Sequence, residues 1–255
     1  MRIAALIFAA AFVCADASRP IAGAIDYEQP KFLTGTIYSG QQAREQKSAL
    51  FTFRRTSTRA GEEVRALREY RLPDDTLVAR ERVAYNNGRL ASFEMEEFQT
   101  GFRGSVVVAE DGGQPRLVFK WARRPDAKPE TKTEPLHKDV LVNDMIPGFI
   151  SQHWDELMRG AAVNFRFIVL ARLETIGFRF VKESERNWDG KPVVIIRMEP
   201  TSFIVARLVN PVHFTVEKTG QRRILQYVGR TTPLTKRGNK WEDLDALTVF
   251  EWKEE

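Results

Sequence analysis

The sequence predicts a mainly β (α+β) fold: a curved antiparallel meander forming an incomplete β-barrel, covered by one or two helices. Three observations carry this. Apolar and polar residues alternate at period two through much of both halves of the chain, as they do in strands with one buried face. Short turns bearing Asn, Asp and Gly at 86–88, 111–113 and 189–190 separate the alternating runs, and strands closely spaced by such turns form meanders. Helical spacing is clear only once, between Val142 and Leu157.

The chain opens with Met1-Arg2, an unbroken apolar run from Ile3 to Val13, and then Ala15-Asp16-Ala17. Charge, apolar run and small-x-small site stand in the order of a secretory signal peptide, residues 1–17, with the cut before Ser18. Ala22-Gly23-Ala24 offers a second cut, after residue 24. Eleven apolar residues fall well short of the roughly 20 that a membrane span needs. Cys14 is poorly placed for lipid attachment, because Ala11, Phe12 and Val13 do not match the Leu and small residues that precede a lipidated cysteine. The expected product is periplasmic, without a transmembrane helix, and residues 25–255 are expected to form a single β-rich domain.

From Phe32 to Phe119 the chain reads as consecutive strands. Leu50-Phe51-Thr52-Phe53 is apolar and aromatic. Val64, Ala66, Tyr70 and Leu72 share one face, opposite Arg65, Glu69 and Arg71. Pro73-Asp74-Asp75 is a turn. Leu77, Ala79, Val83 and Tyr85 alternate with Arg80 and Arg82, and Asn86-Asn87-Gly88 is a strong hairpin signal, since Asn and Gly tolerate positive φ. Ala91, Phe93 and Met95 return against Ser92, Glu94 and Glu96. Val106 and Val108 lead to the turn Asp111-Gly112-Gly113, and Leu117, Phe119 and Trp121 form the next face.

Residues 122–135 hold three prolines and no apolar period, and are expected to form a Pro- and charge-rich loop. Val142, Ile146, Phe149, Ile150, Trp154 and Leu157 then predict one helix over 144–159, with Gly160 at the C-terminus and either Asp144 as N-cap and Pro147 in the first turn, or an earlier start with a kink at Pro147. Trp154 falls on its apolar side. Strands resume with Val163, Phe165, Phe167 and Val169, with Ile176, Phe178 and Phe180, and with Val193 to Ile196. A short helix fits Pro200–Val209. Val212 to Val216, Ile224 to Tyr227 and Leu247 to Trp252 complete the series, with a basic loop (Lys236, Arg237, Lys240) before the last.

Composition excludes several classes. The chain has 255 residues, 43% hydrophobic and 29% charged, which is globular. A net charge of +5 from 39 basic and 34 acidic residues is too mild for a dedicated nucleic-acid binder, and none is expected. One Cys and three His leave no thiolate cage and no His-rich site, so neither metal nor cofactor is expected. His153 and Glu156 have a ligand-like i, i+3 spacing, but a solvated helix face explains them. There is no phosphate loop, no Gly-x-Ser-x-Gly and no His-Glu-x-x-His. The carboxylate pairs Glu62-Glu63, Asp74-Asp75 and Glu96-Glu97 are adjacent in sequence, so on strands they face opposite ways and form no catalytic dyad. No enzyme activity is expected. Nine arginines between Arg54 and Arg89 read as a solvated sheet face paired with Glu62, Glu63, Glu69 and Glu81.

Seventeen Phe and five Trp are a heavy aromatic load. A helix of roughly 15 residues is about 22 Å long, whereas ten flat strands span about 47 Å. The sheet must therefore curl, gain cover from 200–209, or leave a gap. A gap would be lined by Phe93, Met95, Phe119, Trp121, Trp154, Phe165, Phe167, Phe178 and Phe180, with Met95, Met145 and Met158 supplying adaptable walls.

An exported chain with a long meander, a helical interruption and a final set of strands resembles the periplasmic lipoprotein carrier LolA-like group. The segment Val212-His213-Phe214-Thr215-Val216-Glu217-Lys218-Thr219-Gly220-Gln221-Arg222-Arg223 is similar to a strand–turn–strand of that group. The resemblance implies an incomplete β-barrel plugged by helices, and lipid or another apolar molecule as partner. No residue role is carried over from it. The expected function is therefore non-catalytic binding of a lipid or acyl chain in the cell envelope. The alternative is an envelope scaffold with a filled core and a protein partner.

Overall fold

The structure is a computed structural model that describes residues 25–40, 49–124 and 126–252. The signal peptide, both cleavage sites and Cys14 lie outside the described residues.

Among the described residues, one mainly antiparallel sheet of fifteen strands joins both halves of the chain. Eight strands, β1 (Phe32–Ser39), β2 (Ala49–Ala60), β3 (Glu63–Arg71), β4 (Leu77–Asn86), β5 (Arg89–Glu97), β6 (Phe102–Asp111), β7 (Gln114–Ala122) and β8 (Glu130–Pro135), follow one another as neighbours. β9 (Val140–Leu141) pairs parallel with β10 (Val163–Val169), and β10 leads through β11 (Glu174–Trp188), β12 (Lys191–Pro200) and β13 (Val212–Glu217) to β14 (Ile224–Arg230). The hairpin of β15 (Thr235–Arg237) and β16 (Lys240–Glu242) stands apart, and β17 (Asp245–Glu251) runs between β14 and β1. Pairing of β1 with β17 ties the first meander to the second, with Gly35 opposite Phe250. A side chain at Gly35 would meet the Val249 carbonyl at 2.8 Å.

Turn chemistry follows the sequence. Asn87-Gly88, Gly112-Gly113 and Asp189-Gly190 are two-residue hairpin loops with both residues at positive φ, the geometry that matches the right-handed twist of paired strands.

The sheet curls without closing. Its edges are β8 and the short β9 beside β10. Glu134 of β8 accepts hydrogen bonds from the Thr175 backbone N–H at 3.0 Å and hydroxyl at 3.1 Å, and Lys132 reaches Glu174 at 3.8 Å. Side chains thus bridge a seam that no ladder closes. Polar residues on β8 keep this edge unattractive to another strand.

The helix at the centre departs from expectation. A 3-10 turn, Asn143–Met145, precedes α1 (Ile146–Gln152), and α2 (Trp154–Met158) follows after a break at His153. Asp144 does not cap: it is buried inside the 3-10 turn, and its carboxylate pairs across the core instead. Pro147 sits in the first turn of α1, where a missing N–H is tolerated, and Gly160 follows the last turn of α2 at φ +83°. Two further expectations need correction. Residues 130–135 are strand β8, because an edge strand needs no apolar period and admits proline. The basic residues 236, 237 and 240 form the β15–β16 hairpin, where Lys236 lies over Trp241. The short helix expected in 200–209 is α3 (Phe203–Ala206).

The main core lies between α1–α2 and the concave face. Phe149 packs on Phe165 at 5.7 Å and Phe180 at 6.2 Å between ring centres, and Phe165 stacks on Phe180 at 4.6 Å. Trp154 and Leu157 are buried here. The convex face is charged: Glu69 receives Arg54, Arg71 and Arg80, and Arg82 pairs with Glu96 at 2.8 Å. Two of the nine arginines read as solvated, Arg55 and Arg68, point inward and are buried.

Candidate functional site

The concave face is not filled. A cavity of about 690 Å³ lies beside the N-terminal end of α1. Its size falls within the roughly 300–1,000 Å³ of small-molecule sites. Among the described residues, segments besides the sheet that bound it include a strap at 25–30, the turn 143–148 that opens α1, the 3-10 turn Leu170–Arg172 with its flanks, the 205–209 region and the loop at 231–234. Gly148 lets the strap lie on α1, since a Cβ there would stand 2.5 Å from Ile25. Gly104 likewise leaves room for Leu170, whose Cβ would stand 2.9 Å from an added methyl.

Of the nine residues expected to line a gap, Phe93, Met95, Phe167 and Phe178 border this cavity. The other five do not. Phe119, Phe165, Phe180 and Trp154 are packed into the core, and Trp121 lies against Phe102, which itself borders the cavity. These five fall on the right face of their strands or helix, but register along the strand decides whether that face meets α1–α2 or the open space. Of the three methionines expected as adaptable walls, Met95 borders the cavity and Met145 and Met158 do not.

Sequence reasoning missed the polar part of the wall. One cross-strand row runs Leu33, Arg55, Arg68, Glu81, Met95, Gly104 over six neighbouring strands. Its middle is two arginines and a glutamate on the inward face. The signal was present: Arg55 continues Phe51 and Phe53, Arg68 lies between Ala66 and Tyr70, and Glu81 between Ala79 and Val83, each in an apolar register.

Arg55 and Asp144 form a two-pronged pair, Nε to Oδ1 at 2.7 Å and Nη2 to Oδ2 at 3.0 Å. Tyr85 donates its hydroxyl to Oδ2 at 2.8 Å. Arg55 also donates to the carbonyls of Tyr27, at 2.6 Å, and Pro30, so the same guanidinium pins the strap. Tyr27 stacks on Tyr85 at 4.2 Å. Burial pushes the Asp144 carboxyl up, but the charges of Arg55 and Arg68 and the bonds from Arg55 and Tyr85 outweigh it and hold it below the usual range. Burial, then the Asp144 charge, pushes Tyr85 up.

Arg68 and Glu81 approach to 3.3 Å, Nη1 to Oε2. Glu81 Oε1 accepts from Thr232 at 2.7 Å and from Asn143 at 3.3 Å. The Arg68 guanidinium lies over the Phe53 ring at 5.1 Å. Burial opposes its charge, while Tyr70, Glu81 and Asp144 hold it above the ordinary value.

No metal-type cluster of three or more His, Cys, Asp or Glu occurs among the described residues. His153 Nδ1 meets Glu156 at 3.0 Å and packs on Phe149. No helix among the described residues is long and apolar enough to cross a membrane.

No protein-family model matches the chain, and no curated protein sequence does. Two solved structures share a weak likeness. A domain described as an outer membrane lipoprotein-sorting protein, from Vibrio parahaemolyticus, is 9% identical, with 86% of this chain and 80% of that one covered and a TM-score of 0.26. A DUF1329 family protein from Desulfovibrio piger is 10% identical, with 89% and 85% covered and a TM-score of 0.23.

Proposed function

We propose that the protein is an exported, non-catalytic component of the cell envelope that carries or shields a hydrophobic ligand, a lipid or acyl chain, in this cavity. One observation carries the reading: a space of about 690 Å³, walled largely by Phe, Met, Leu, Ile and Val side chains, beside the helices of an open barrel. Space of this size in a small domain forgoes packing that would stabilise it, and an apolar ligand against its apolar wall restores those contacts. The 203–209 segment adds support. Val205, Leu208 and Val209 border the cavity, while Phe203, Ile204 and Leu208 are 72–76% exposed. This segment offers an apolar chain a greasy path between the cavity and its source.

The second reading is an envelope scaffold. The dense packing of Phe119, Phe165, Phe180 and Trp154 favours it, because most of the aromatic load serves as solid core.

Native mass spectrometry on protein extracted gently from its own envelope separates the two. The carrier reading expects a co-purifying mass of one or two lipids. A bare polypeptide that also takes up no apolar fluorescent probe leaves the scaffold.

A further inference from the structure

The polar wall of the cavity bears on what sort of head group its occupant carries. Arg68 has a side chain only 10% exposed, among aromatic neighbours, and borders the cavity. Among the described residues no hydrogen bond satisfies its guanidinium. Nε and Nη1 are enclosed by protein, and the contact with Glu81 is an ion pair without hydrogen-bond geometry. Nη2 is the one guanidinium nitrogen that is not among these enclosed, unpartnered atoms. A buried charged donor without an acceptor is costly, so the site favours a ligand that brings one.

The surrounding charges restrict that acceptor. Arg55 is matched by Asp144, and Arg68 by Glu81. Among the described residues the lining holds four arginines against five carboxylates. A free carboxylate entering here finds no surplus positive charge, and Glu81 stands opposite Arg68 in the same row. A carbonyl brings the acceptor without the charge.

On the reading that the cavity holds an apolar chain, we propose that its ligand bears an uncharged hydrogen-bond acceptor, an ester or amide carbonyl, which takes a hydrogen bond from Arg68 Nη2. The site then selects esterified or amidated acyl chains over free fatty acids. Phe93, Met95 and Phe167 hold the chain, and Arg68 sets the position of its linkage.

The test compares three probes on the delipidated full-length mature chain at pH 8: a pyrene-labelled long-chain fatty acid, its methyl ester, and a pyrene-labelled alkane of matched length, each supplied from cyclodextrin. The ester is expected to bind about tenfold more tightly than either the acid or the alkane, the scale of one hydrogen bond to a charged donor. In Arg68→Met/Glu81→Leu, which removes both charges together, the ester should fall to the affinity of the alkane, with the alkane unchanged. Arg68→Lys, which keeps a charged donor, should retain part of the ester preference. An acid that binds as well as the ester, or an alkane that equals it in the unaltered protein, overturns this proposal while leaving the carrier reading intact. If none of the three binds, the carrier reading itself fails. The comparison within the unaltered protein stands even where a variant does not fold.

Discussion

Arg55 on β2 and Asp144 in the 3-10 turn before α1 lie 89 residues apart and meet in a buried two-pronged ion pair. The pair joins three parts that border the cavity: the sheet, the start of the helical cover, and the strap at 25–30, whose carbonyls accept hydrogen bonds from Arg55. Removing one partner leaves the other charge buried without its counter-charge. Arg55→Met or Asp144→Leu should each destabilise the fold by about 3–5 kcal/mol in denaturant titrations, while Arg55→Met/Asp144→Leu together should lose much less than the sum. Additive losses would show that the two side chains act independently.

The pH response of Asp144 has a definite sign. Its folded value lies below the ordinary carboxylate range, so its contribution to stability is complete above the unfolded value of about 3.9 and is lost as pH falls through the folded value. The urea midpoint of the unaltered protein should drop steeply below about pH 4. Asp144→Asn should be weaker at neutral pH and should converge on the parent in acid. Equal gaps at pH 7 and in acid would remove Asp144 from the account.

Glu97 responds in the opposite sense. Burial holds its carboxyl above the usual range despite a hydrogen bond from Thr100. The folded state therefore takes up a proton, and the stability this contributes is present below the unfolded value of about 4.3 and lost as pH rises through the folded one. Glu97→Gln keeps an oxygen for Thr100 and removes the charge, so it should raise the thermal midpoint at pH 7. A lowered midpoint would mean that the charged form is the one the fold favours.

Trp154 tests the core rather than the cavity. It is 5% exposed, lies under the Arg222 guanidinium at 5.1 Å and does not border the open space. Trp154→Ala should destabilise by about 3–5 kcal/mol and leave the affinity of the surviving folded protein for an apolar probe unchanged. A change in affinity without loss of stability would place Trp154 in the binding wall.

These contrasts show what the sequence made legible. Period-two runs and the Asn87-Gly88, Gly112-Gly113 and Asp189-Gly190 turns expose the meander because each is local. The inward register of Arg55, Arg68 and Glu81 was equally visible as charge in an apolar series, but the nearby arginines and glutamates of the convex face hid it. Asp144 looked like a cap because its true partner is 89 residues away. Which aromatic side chains pack under α1–α2 and which face open space depends on how far the sheet curls. That curvature rests on contacts such as Glu134 with Thr175, between the edge strand β8 and β11 near the other end of the sheet, which no local pattern encodes.

Phe167 and Phe178 separate binding from folding. Both border the cavity, and their rings meet edge to face at 6.1 Å. Phe178 is 6% exposed and also stacks beside Phe165 at 6.2 Å, so it belongs to the core as much as to the wall. Phe167 is only partly buried and packs against the edge of that core. A carboxylate at 178 would be buried without a partner, and Phe178→Asp should unfold the protein or destabilise it by more than about 3 kcal/mol. A carboxylate at 167 can turn toward the opening. Phe167→Asp should therefore keep most of the thermal midpoint and lose at least tenfold in affinity for a fluorescent alkane, because it places a charge where the chain would lie. If Phe167→Asp binds the probe as the parent does, the chain does not pass this wall, and the occupied part of the cavity must lie toward Phe93 and Met95. If it unfolds as Phe178→Asp does, Phe167 is core, and the functional part of the wall shrinks to the side chains around Arg68.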